Sequence, residues 1–166
     1  IYVSANSKEL PIIIDTGASV SITPVQLDFM SVLSEPDLKS LNQVNGTAKV
    51  IGQGTVCWSI EDISGTQCDI ITGAYYVPSA SIRLFSPQVY IKEQRGKCRL
   101  EMDCSGILLR LKSGSALQFP IGCGNNLPFM LTAKGIREHR CTNSKASKFL
   151  SDSFVCPFTN FPNSLT

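Results

Sequence analysis

The stretch LPIIIDTGASVSITP, residues 10 to 24, constrains the chain more than any other. Three isoleucines run straight into Asp15, which is followed by Thr16, Gly17, Ala18 and Ser19. The apolar run fits a buried strand, and a carboxylate cannot continue such a strand. Asp15 therefore belongs in a tight loop at the edge of the core. Gly17 permits backbone geometry that a side chain would block, and the loop lets backbone N–H groups reach the carboxylate. A bare Asp-Thr-Gly reads first as an Asx turn, in which Asp15 only caps its own loop.

The rest of the chain has the period of strands and turns. IYVSA and ELPIII make two strands about a turn at Asn6, Ser7 and Lys8, and SITPVQLDFM follows the Asp loop. SEPDLKSL is the one place where a short helix is expected. NQVNGTAKVIGQGTVCWSIED reads as a hairpin at Asn45-Gly46 with a long return strand, CDIITGAYYVP as a strand set off by Ser64-Gly65, and SIRLFSPQVYI as the close of this region. KCRLEMD, GILLRLKSG and SALQFPI are three further short strands between Gly and Ser turns. From about Thr132 the apolar spacing decays and the tail is expected to be disordered.

With 166 residues, 43% of them hydrophobic, the chain can bury one core and carry an appended segment. Starting at Ile1, it reads as a piece of something longer. Charge divides it: residues 1 to 91 carry four basic and eight acidic side chains, residues 92 to 166 eleven and five. The basic residues of the second part are dispersed among Glu101, Asp103 and Glu138, which fits a solvated surface better than a nucleic-acid site. No apolar run approaches the roughly 18 residues of a membrane span, so no membrane partner is expected. The seven cysteines, at 57, 68, 98, 104, 123, 141 and 156, form no close CxxC pair and read as reduced thiols of an intracellular, cytoplasmic protein. Metal chemistry and Ser-His or Cys-His schemes would all have to use the single histidine, His139, which sits among Arg137, Glu138 and Arg140. No cofactor is expected.

IIIDTGASVSI resembles the catalytic loop of the aspartic proteases, apolar-apolar-Asp-Thr/Ser-Gly-Ala/Ser. The Asn45-Gly46 hairpin and VIGQGTV fall where that family has its flap. GAYYVPSASIRLFSPQVY is similar to the segment after the flap in proteases of copia-type retrotransposon polyproteins, and NNLPFML to the end of the linker that follows. The chain thus resembles a copia-type retropepsin over about residues 1 to 131.

The resemblance implies an all-β, single-lobe acid-protease barrel over 1–92, a β-rich extension over 93–131 and a flexible tail over 132–166. Asp15-Thr16-Gly17 occurs once, whereas pepsin-like enzymes carry two copies; DISG at 62 to 65 and DCSG at 103 to 106 each have one residue too many. A lone copy implies a homodimer in which each chain gives one Asp15. Asp15, Thr16 and Gly17 are then catalytic, and Ala18, Ser19, Val44, Asn45 and Gly46 bind an extended segment of a gag-pol type polyprotein, in the cytoplasm or in a virus-like particle. Val20 and Ile22 are expected in the core, and Trp58 on the return strand favours core over a substrate pocket. Gly52 and Gly54 fit either a mobile flap or a bulge. Retroviral members have an apolar-Gly-Arg-Asp/Asn turn before their terminal helix; here Ser86-Pro87 stands instead, with Arg83 before it. A module of the same fold that dimerises or binds peptides without hydrolysis is the alternative.

Overall fold

The computed structural model describes residues 10–43, 46–121 and 126–132. The first strand, IYVSA with the turn after it, the hairpin tip Val44-Asn45, His139 and the expected tail beyond Thr132 lie outside the described residues.

The isoleucine run forms β1 (Ile12–Ile14), buried at all three positions. Its neighbours in the sheet explain this: β7 (Arg83–Phe85) pairs with it in parallel and β11 (Phe129–Met130) antiparallel, so the strand is interior and every side chain meets protein. After the Asp loop the chain enters β2 (Ile22–Thr23), which pairs with β7 and with β6 (Gln67–Tyr76). The outer strand is β5 (Gly52–Glu61), joined to β6 by a hairpin in which Gly65 has φ +80°. The six-stranded sheet runs β11-β1-β7-β2-β6-β5. A two-stranded hairpin of β3 (Ser40–Gln43) and β4 (Gly46–Lys49) stands apart from it, and β8 (Arg99–Asp103), β9 (Gly106–Arg110) and β10 (Ala116–Pro120) form a three-stranded meander. The protein is thus mostly strand, and all-β as its turn pattern implies.

Four expectations are corrected by this arrangement. The sheets do not close into a barrel among the described residues, because the outer edge of β5 is met by single bridges from Phe29 and Ser34 rather than by a strand. The long return strand is two strands, β4 and β5, in different sheets. SEPDLKSL forms no helix; Ser34 bridges to Gln53, and Ser40 opens β3. The one α-helix among the described residues is α1 (Pro87–Glu93), in the segment read as the close of the first region. Ser86 and Pro87 start it, Ser86 as the capping residue and Pro87 at the first helical position, where its missing N–H and fixed φ cost nothing.

The main core gathers Ile12, Ile14, Trp58, Ile60 and Phe85 with Ile107, Leu109, Leu117 and Phe119. Phe85 is its hub, edge-on to Trp58 at 6.1 Å and to Tyr90 at 5.6 Å, and stacked on Phe119 at 6.2 Å. The division expected near residue 92 is therefore not a packing boundary. The described basic residues from Lys92 to Lys112 are exposed, while the meander supplies one side of the same core. Trp58, 1% exposed, is a core residue.

Candidate active site

Asp15 follows β1 and continues its ladder by one bond, its N–H donating to the Phe85 carbonyl at 3.0 Å. The chain then turns sharply, with Ala18 N–H donating to the Asp15 carbonyl at 3.2 Å. Asp15, Thr16 and Gly17 are exposed, Ala18 is half-buried and Ser19 is exposed. The carboxylate Oδ1 accepts one hydrogen bond, from Gly17 N–H at 2.8 Å. Gly17 is not in the left-handed region; what its bareness gives is proximity, because a Cβ there would stand 3.3 Å from that same oxygen. The bond is of the Asx type, and it fixes one oxygen while leaving the acceptor capacity of the other.

Two residues that the sequence reading did not assign to the site hold this loop from behind. Ser86, fully buried, donates its hydroxyl to the Ala18 carbonyl at 2.6 Å and accepts from Val89 N–H at the start of α1. Its own N–H donates to Ser21 Oγ at 3.0 Å. Gln88, in the first turn of α1, donates its side-chain amide to the Thr16 carbonyl. The Ser86-Pro87 departure from the retroviral turn is therefore the clamp on the Asp loop. A Ser followed by Pro is a helix-start signal, and that signal was present in the sequence.

The hairpin meets the loop at its base. Ala48 of β4 and Leu41 of β3 pack with Val20, Ile22, Val50 and Val77 in a second apolar cluster, so Ile22 is core and Val20 lies at its edge. Gly46 opens β4 at φ +133° and is exposed; among the described residues no hydrogen bond joins it to the Asp loop. Val44 and Asn45 lie outside the described residues. Gly52 and Gly54 serve close approach rather than a bulge: a Cβ at Gly52 would lie 2.9 Å from Leu33 Cβ, and one at Gly54 3.1 Å from Phe29 Cδ1. A side chain at Gly52 would force Leu33 to shift, and one at Gly54 would need Phe29 to give by a few tenths of an ångström.

Beyond Ser19 a cleft of about 380 Å³ opens between the loop, β5, β6 and the end of α1. Glu93 lies on its wall, accepting from Thr72 Oγ1 at 2.7 Å and from Gly73 N–H at 3.1 Å. Tyr75, also on the wall, donates its hydroxyl to Asp37 Oδ1 at 2.5 Å, and that bond raises its pKa.

On the far side of β2, Asp28 and Arg83 form a buried ion pair at 2.7 Å, with Arg83 Nη2 also donating to Asp28 Oδ1 at 3.0 Å. Asp28 further accepts from Thr23 Oγ1 and from Trp58 Nε1 at 2.9 Å, and Arg83 Nη1 donates to the Leu10 carbonyl at 2.6 Å. Arg83 thus ties the start of β1 to the turn after β2.

Cys57, Cys68, Cys98 and Cys104 are free thiols; the other three cysteines lie outside the described residues. Burial pushes the Cys57 and Cys68 thiols up, away from the reactive thiolate. No helix among the described residues is long and apolar enough to cross a membrane. No protein-family model matches the chain, and no curated protein does.

Proposed function

We propose that the chain is a retropepsin-like aspartic endopeptidase of the copia type, acting on its own polyprotein as a homodimer. One observation carries this reading: a single exposed carboxylate, Asp15, ends an interior strand and stands in a loop clamped from behind by buried Ser86. A carboxylate so placed is rigidly presented and still open to a reactant.

In the reaction, Asp15 and the partner subunit's Asp15 share one proton, since two like charges at roughly 3 Å do not both ionise. The ionised carboxylate takes a proton from a water between them, and the water oxygen attacks the scissile carbonyl carbon. The protonated carboxylate gives its proton to the carbonyl oxygen. The resulting gem-diol collapses, the C–N bond breaks and the nitrogen leaves with a proton, so that acid and amine form and the pair is left with one proton. Thr16 ties the two loops across the two-fold axis, and Gly17 offers its backbone to the substrate. The Asx-type bond at Asp15 is also what favours the second reading, a dimerising or peptide-binding module without hydrolysis.

The test is hydrolysis of unstructured peptides by the full chain, alone and mixed with Asp15→Asn chains. Activity per chain rises with concentration until dimers dominate, and excess mutant suppresses it. Activity per chain that stays flat over about a thousandfold dilution, without suppression, overturns the shared site. Peptide binding with no cleavage at any concentration leaves the second reading.

A further inference from the structure

We propose that the cleft beside the Asp loop is a subsite for a basic side chain, lysine or arginine, and that Glu93 selects it. The inference rests on the peptide-cleaving reading and names one feature of the substrate. Its volume, about 380 Å³, is in the lower part of the range of about 300–1,000 Å³ for small-ligand pockets.

The position of the cleft relates it to a bound peptide. Ser19 lines it, and the four residue steps from Asp15 to Ser19 span at most about 14 Å. An extended peptide advances about 3.3 Å per residue, so the cleft lies within about four positions of a bond held at Asp15.

Its chemistry selects the charge. Among the described residues Glu93 is the one charged side chain on the lining, and the bonds from Thr72 and Gly73 hold its carboxylate at the wall. A carboxylate has about four lone-pair sites, and these two bonds leave room for an ammonium or guanidinium. Gly73 brings the backbone close, since a Cβ there would lie 3.1 Å from Glu93 Oε1. Val20 and Val89 offer an apolar wall to the methylene stem of a long cation. Asp37, behind Tyr75, adds a second negative charge. Lys92, next to Glu93 on α1, is not on the lining. An acidic side chain would meet these carboxylates with no basic residue on the described lining.

The experiment uses the full chain and peptides that are identical except at one position, scanned over four residues on each side of the cleaved bond and carrying Lys, Arg, norleucine or Glu. At one position Lys and Arg exceed norleucine by about tenfold in kcat/KM, and Glu falls below it. With Glu93→Gln that ratio drops to about twofold or less. Should Glu93→Gln disturb the fold, the parent chain still decides, because an ionic preference shrinks between low and high salt. Cleavage with no basic preference at any position, or a preference indifferent to both salt and Glu93→Gln, overturns the subsite while leaving the protease intact. Failure of the protease itself is told apart by fluorescence anisotropy: the same Lys-over-norleucine preference in peptide binding, with no turnover, keeps the subsite and removes the enzyme.

Discussion

Asp15 and Asp28 flank the same short strand, β2 and the loop before it, and are held in opposite ways. Asp28 is 9% exposed in its side chain and accepts from Arg83, Trp58 and Thr23, so both of its oxygens are occupied. Asp15 is exposed and accepts from one backbone N–H. A carboxylate whose acceptor sites are filled and whose charge is paired is structural. One that is fixed at a single oxygen and open at the other is available for chemistry. The two aspartates thus separate a part of the molecule that holds the fold from a part that the fold presents.

The largest effect that would break this contrast is on stability. Asp28→Ala removes the carboxylate that Arg83 meets at 2.7 Å, and removing one partner of a buried pair costs about 3–5 kcal/mol. Asp15→Ala, at an exposed position, stays within about 0.5 kcal/mol of the parent. Denaturant unfolding of both variants measures the difference. If Asp15→Ala destabilises as much as Asp28→Ala, then Asp15 is a structural residue and its exposure is misleading.

Much of this division could be seen in the sequence, and the rest could not, for physical reasons. The Asp15 loop is local: an apolar run, a charge and a glycine announce a strand end within a few residues. The three strands of the meander and the Ser64-Gly65 turn are local too, and the structure has each of them. The Asp28–Arg83 pair depends on two residues brought together only by the sheet order, and nothing near either one signals the other. Gly52 and Gly54 read as a mobile flap or a bulge because the residues that crowd them, Leu33 and Phe29, come from another segment. The boundary near residue 92 was drawn from charge, which describes the surface, whereas Phe119 reaches Phe85 beneath it. Ser86 is a different case. Its signal is local and legible as a helix start, whereas set against a family pattern the same residues read as a departure.

Ser86 gives the intermediate test, since it connects the structural side to the presented side. Ser86→Ala removes the hydroxyl that caps α1 and leaves the Ala18 carbonyl without its donor. Loss of the cap costs about 1 kcal/mol, and the unpaired carbonyl about 1–3 kcal/mol more unless water reaches it. Cleavage should fall by more than the unfolded fraction explains, because the loop that carries Asp15 is no longer clamped. Activity that simply tracks the folded fraction would limit Ser86 to capping the helix.

The smallest effect comes from a third aspartate, which sharpens what a purely local cap looks like. Asp62 Oδ1 accepts from Ser64 N–H at 2.8 Å, Ser64 Oγ at 2.6 Å and Thr66 N–H at 2.9 Å in the β5–β6 turn. The Ser64 hydroxyl first, helped by the backbone N–H groups of Thr66 and Ser64, holds its carboxyl below the usual carboxylate range, against a desolvation second only to that hydroxyl bond. The sign follows from which form is favoured: the folded turn binds the ionised carboxylate, so the contribution is fully present above the unfolded pKa and is lost as pH falls through the depressed folded value. The melting temperatures of the parent and Asp62→Asn should therefore differ by a constant amount above the ordinary carboxylate range and converge as pH falls through the depressed folded value. A gap that persists unchanged at the acid end would mean that the turn is held by hydrogen bonds indifferent to charge. Asp62 would then be no guide to how a capped carboxylate differs from the open one at Asp15.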